Sequence, residues 1–228
     1  IRYYSEFWIQ WSLYISSNDK ITHEKRELLY KWFWNTILFN RYSWSQNERI
    51  QKDFNELTLE NYSNKLIKSR IRVFDKNDIL DAYYNKQSNQ LFTALELLLK
   101  NNKIKDFYSW VEVNKWTENK SKMELHHIFP DNSVVWKEIK KRGDNIINNI
   151  ANLTPLTKGT NNKFINNKSP SVYIKDFRSE IWDEKFNEYL KTHLISEEMV
   201  EMLENDDFDN FIKARTLLII EKIYNLVK

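Results

Sequence analysis

The chain has 228 residues but only two glycines and three prolines, where an average domain of this length holds about 27 of the two together. That shortage excludes collagen-like and linker-like chains and any Gly-rich phosphate loop, and it argues against a turn-dense β sandwich or barrel. There is no cysteine and the net charge is only +3, so disulfides and Cys-based zinc sites are excluded as well.

All five punctuating residues (Pro130, Gly143, Pro155, Gly159 and Pro170) fall within one central stretch. The pattern predicts a mainly α chain, a helical scaffold around one compact, non-helical insert. Three parts follow: a helical domain over 1–120, the insert over 121–178, and C-terminal helices over 179–228. Charge follows the same division. Residues 120–178 hold eleven Lys and Arg against five Asp and Glu, whereas residues 179–228 hold six against twelve. A basic segment is the usual footprint of a phosphate-binding surface, although solvated lysines alone account for many such runs.

No apolar run approaches the roughly 18 residues of a membrane span, and no signal-peptide pattern opens the chain. The composition fits a folded, cytoplasmic protein. The first residue is isoleucine and a helical pattern starts at once, so the chain reads as a fragment of a longer protein.

Through 1–120, apolar positions recur at three and four residues, as in Leu28, Leu29, Trp32, Phe33, Ile37 and Leu38, the stripe of an amphipathic or buried helix. Ser45 and Glu48 have capping-box spacing. A further helix is expected at about 88–100, with Leu91, Leu95, Leu98 and Leu99 on one face. In the last part, Phe208, Phe211 and Ile212 begin a stripe that runs to Val227. Asp206, Asp207 and Asp209 sit at its start, where the helix dipole favours negative charge.

The centre reads differently. Met123–Phe129 is expected as a strand ended by Pro130, followed by a short helix over 131–142. A second extended piece is expected over Ile150–Leu153, ending at Pro155. A helix should then start around 159–162. Two adjacent histidines, His126 and His127, lie on the first strand and point to opposite faces. Metal-assisted phosphodiester hydrolysis gives two adjacent imidazoles distinct roles, one as a ligand to a divalent ion and one as a general base for water. An amide oxygen is a suitable further ligand for magnesium or manganese, and Asn161 and Asn162 stand where the last helix should begin. His23 and His193 are isolated in helical contexts and read as structural.

The stretch E-L-H-H-I-F-P, followed by N-I-A-N-L-T-P-L-T and T-N-N-K-F-I-N-N-K-S-P-S-V-Y-I, resembles the HNH, or ββα-metal, nucleases. More narrowly, it is similar to the C-terminal nuclease region of GmrSD-type restriction endonucleases. Lys31-Trp32-Phe33-Trp34, Arg41-Tyr42-Ser43 and Asp53 look like the helical region that precedes the nuclease in that family. Phe208–Arg215 looks like its closing helix.

The resemblance implies a restriction or phage-defence DNA endonuclease using one divalent ion, Mg2+ or Mn2+, and leaving 5′-phosphate and 3′-hydroxyl ends. It assigns metal ligation to His126 and the general base to His127, with Asn152 as the middle asparagine that holds and orients the base loop. The last ligand is Asn162 counted back from Pro170, or Asn161 counted forward from Asn152. Lys158, Lys163 and Lys168 would contact DNA phosphates, or serve simply as solvated lysines. The implied partner is double-stranded DNA, modified or not. The nucleotide-binding sensor domain that usually precedes such nucleases has no counterpart in this chain. The alternative is a catalytically silent nucleic-acid-binding or assembly module that keeps the nuclease shape, and RNA is a further substrate to test.

Overall fold

A computed structural model of the chain describes residues 22–25, 27, 32, 36, 46–58, 95, 98–99, 102–109, 112, 123–130, 137–139, 141, 146–180 and 183–227. The side chains of 46–47, 56–58, 123–124, 163–164, 183–184, 224 and 226–227 are excepted. Among the described residues the protein is mainly helical, with one small two-stranded sheet. It divides into two compact units, one of residues 1–74 with 224–228 and one of residues 75–223. Among the described residues no helix is long and apolar enough to cross a membrane.

In the first unit, α1 spans Gln46–Thr58, with Glu48 in its first turn. Ile50 and Asp53 are buried along it, at the three-residue spacing of one helix face, and Trp32, itself helical, is also buried. Ser45, the expected cap, lies outside the described residues, as does Leu91 of the leucine face. Leu95, Leu98 and Leu99 of that face are helical and buried in the second unit.

The second unit holds the insert. Strand β1, Met123–His127, pairs antiparallel with β2, Leu153–Thr157, in a register that sets His126 opposite Thr154 and His127 opposite Leu153. The strands differ from the expectation in two ways. β1 stops at His127 because the backbone of Phe129 leaves the ladder to bond the Asn152 side chain. β2 starts three residues later than expected. Ile150–Asn152 form a tight 3-10 turn instead, because the Asn149 Oδ1 accepts the Ala151 N–H at 2.8 Å, a local side-chain bond that competes with extended backbone. β2 also runs through Pro155. A two-stranded sheet has an open edge on both strands, so the missing proline N–H costs no ladder bond there.

Helical backbone then begins at Lys158 and widens into a π-type turn over Thr160–Ile165. It closes with the Asn166 N–H donating to Asn161 O at 2.9 Å. Asn166 and Asn167 both take positive φ, 35° and 65°, a conformation asparagine tolerates better than most residues. Of the expected 131–142 helix, Lys137–Ile139 are helical, Lys141 is already in a turn, and the others lie outside the described residues.

Four helices follow: α2 Pro170–Glu180, α3 Asp183–Thr192, α4 Glu197–Glu204 and α5 Phe208–Val227. Pro170 opens α2, where its fixed φ suits a first helical position. Each helix buries a three-four stripe: Tyr173, Ile174 and Phe177 on α2, Phe186 and Leu190 on α3, and Met199, Val200 and Leu203 on α4. On α5 the stripe is Phe208, Phe211, Ile212, Arg215, Thr216, Ile219, Ile220 and Ile223. The acidic run before α5 is capping structure. Asp207 accepts the Asn210 N–H, and Asp206 accepts both the N–H and the hydroxyl of Ser171 at the start of α2.

Candidate active site

The hairpin and the turn after it bring His126, His127, Asn161, Asn162, Asn166 and Asn167 around one pocket of about 250 Å³, which Leu125 and Pro130 also line. Alternation along β1 gives the two histidines different surroundings: His126 is 3% exposed, and His127 is half-buried. The His126 Nδ1–H donates to Asn161 Oδ1 at 2.9 Å. Its other nitrogen, Nε2, is buried with no hydrogen-bond partner among the described residues. Burial, followed by the neighbouring His127, pushes the His126 pKa down to about 3 against the opposing bond to Asn161. The ring is therefore neutral at physiological pH, the state in which imidazole ligates metal.

His127 meets Asn148, whose Oδ1 accepts its Nε2–H at 3.1 Å. Asn152 sends its bonds to backbone groups, not to the His127 ring. Its side chain is fully buried, accepts the Phe129 N–H at 2.9 Å, and donates to Phe129 O at 3.2 Å and to Ile147 O at 2.9 Å. It thus fastens the loop after β1 to the 3-10 turn over Ile146–Asn148. Tyr173 props the same loop, its hydroxyl donating to Ile128 O at 2.7 Å. The Phe129 ring packs edge-on against Phe208 at 5.3 Å.

Of the two candidate last ligands, Asn161 is the one at hydrogen-bond distance from His126. Asn162 is exposed and lines the pocket. Lys158 is exposed, Lys168 is ion-paired with Asp176 at 2.8 Å, and the side chain of Lys163 lies outside the described ones. His23 is exposed. His193 is fully buried, accepts from the Thr154 hydroxyl and donates to Lys105 O.

Three supporting residues were not singled out in the sequence as parts of the site. Asp106 is fully buried and accepts the Thr157 N–H at 2.7 Å and the Thr160 hydroxyl, holding the turn that carries Asn161. It also accepts the backbone N–H groups of Tyr108 and Ser109. Burial alone would raise its pKa, but the bonds from Thr160, Ser109 and Thr157 hold it below the usual carboxylate value. The Asp-x-x-Ser spacing of Asp106 and Ser109 was its one local signal. Arg215, also fully buried, donates to Ala151 O, Leu153 O and His193 O. Burial pushes its pKa down to about 9, still high enough for the guanidinium to stay charged at neutral pH. Asn148 was hidden by the general abundance of asparagine around it.

No family model matches the chain, and no solved structure matches it. Among curated proteins it is similar to the uncharacterized protein MJ0686 of Methanocaldococcus jannaschii, at 32% identity over 222 aligned positions. The match takes in 86% of this chain and spans 37% of that protein's length.

Proposed function

We propose that the chain is a divalent-metal-dependent DNA endonuclease module of the HNH class, of the kind carried by GmrSD-type restriction endonucleases. The observation that carries this reading is the convergence of His126, His127 and an asparagine pair around one pocket, on a hairpin followed by a helical turn.

The residues fit a hard or borderline divalent ion such as Mg2+ or Mn2+. The Nδ1 of His126 and the Oδ1 of Asn161, 2.9 Å apart, would share one ion with the ring proton on Nε2, and the amide of Asn162 lines the same pocket. Among the described residues no group of three His, Asp or Glu forms a conventional cluster, and the donors named here are neutral. An ion held by His126 and Asn161 or Asn162 would polarise the scissile phosphate and stabilise charge on the leaving oxygen. His127 takes the proton from the attacking water. Asn152 holds the 127–129 backbone so that this ring keeps its place. Lys158 and Lys168 position the phosphate backbone without reading sequence.

Plasmid DNA incubated with Mn2+ and the chain should be nicked, whereas His127→Ala should lose about 100- to 10,000-fold in rate. Equal background cleavage by both proteins would remove the enzyme reading. The neutral ligand set supports one rival, a silent nucleic-acid-binding module, which retains DNA affinity but gives this null result. RNA offered at matched salt tests the substrate class.

A further inference from the structure

We infer that Asn148 is the positioning residue for His127, fixing which ring nitrogen of the general base carries the proton. This rests on the nuclease reading of the same pocket. An amide oxygen can only accept a hydrogen bond. With Asn148 Oδ1 at 3.1 Å from Nε2, the neutral His127 ring keeps its proton on Nε2 and its lone pair on Nδ1. An unrestrained imidazole exchanges between both tautomers, and only one of them presents its lone pair to a given water.

The fold holds both ends of this bond from a single anchor. Asn152 bonds the backbone of Phe129, two residues after His127, and the carbonyl of Ile147, one residue before Asn148. The turn carrying Asn148 is closed by the Asn149 N–H donating to Ile146 O at 3.1 Å. The backbones that carry the ring and the amide are thus both held by the same buried side chain. The middle asparagine therefore acts on the base through the backbone that carries Asn148 rather than through a bond to the ring.

Substitutions that keep or remove the acceptor test this. Asn148→Asp retains an oxygen at the same place, and Asn148→Leu keeps the volume without it. Should leucine unfold the chain, Asn148→Ala removes the same acceptor. Long-range proton–nitrogen NMR of histidine-labelled protein, with His127 assigned by its loss in His127→Ala, reports the tautomer directly. The wild type and Asn148→Asp should show the Nε2–H form, and Asn148→Leu a mixture of the two. In metal-dependent plasmid cleavage, Asn148→Leu should lower kcat about 10- to 100-fold with KM and thermal midpoint little changed, and Asn148→Asp should recover much of the loss. A cleaving wild type, with Asn148→Leu matching it in tautomer or in rate, overturns the inference and leaves the nuclease reading standing. A wild type that cleaves nothing while the tautomer shifts as expected overturns the nuclease reading and confirms the lock.

Discussion

The side chain of Asn152 and the backbone of Phe129 exchange two hydrogen bonds, the Phe129 N–H donating at 2.9 Å and the Asn152 amide returning one to the Phe129 carbonyl at 3.2 Å. This pairing accompanies the end of β1 at His127, two residues short of the expected end at Phe129. Replacing Asn152 by leucine keeps the volume but leaves the Phe129 N–H, Phe129 O and Ile147 O unpaired in a fully buried place. Unmade buried bonds cost more than made ones contribute. Urea unfolding of Asn152→Leu should show a loss of about 3 kcal/mol, together with loss of any metal-dependent cleavage.

The extent to which the site was legible follows from how local each feature is. The histidine pair, the asparagine of N-L-T and the asparagines near Gly159 could be picked out because adjacent residue types and turn punctuation mark them. The long α5 stripe was legible from its period alone. The boundaries of the strands were not. They depend on the Asn149 and Asn152 side chains taking backbone groups out of the ladder, a competition that spacing does not reveal. Asp106 and Arg215 were missed as parts of the site because the bonds that tie them to β2 and its flanking turns span 51 to 64 positions. Nothing in a run of neighbouring residues encodes such a partner.

Asn161 and Asn162 should separate in metal binding. Asn161 bonds the ring of His126, and Asn162 only lines the pocket. Removing an amide that orients or joins a ligand imidazole typically costs 10- to 100-fold in affinity. Mn2+ titration followed by electron paramagnetic resonance should show that loss for Asn161→Ala and a smaller one for Asn162→Ala. The reverse order would move the ligand role to Asn162.

Stability should fall on acidification through His193. Burial lowers its pKa from 6.5 to about 4, with the bond to Lys105 and nearby Asp106 opposing the shift and Arg215 assisting it; His126 is a further titrating neighbour. The folded state thus binds fewer protons than the unfolded chain between those values, so stability rises with pH across that window. The contribution is fully present above pH 6.5 and is lost progressively toward about pH 4, with a slope of up to about 1.4 kcal/mol per pH unit. Urea midpoints measured from pH 4 to pH 8 should show this, and His193→Gln should flatten the slope by its share.

The flanking lysines should differ in their contribution to DNA affinity. Lys168 already holds Asp176 in an exposed pair, an interaction worth at most about 1 kcal/mol. A phosphate contact by either lysine should lower the salt slope of binding by about 1 when removed, without changing sequence preference. Fluorescence anisotropy over a salt series should show this for Lys158→Ala. Asp176→Ala should strengthen binding slightly by releasing Lys168, an effect absent in Lys168→Ala.

Arg215 reaches back 64 positions to bond the carbonyl of Ala151. At about 5–20 residues per second, a ribosome needs roughly 3 to 13 s to add that much chain. The histidine pair therefore leaves the tunnel well before the guanidinium that braces the backbone beneath it. Through that interval the nascent hairpin lacks its brace. The order of synthesis delays assembly of the pocket until Arg215 has been added.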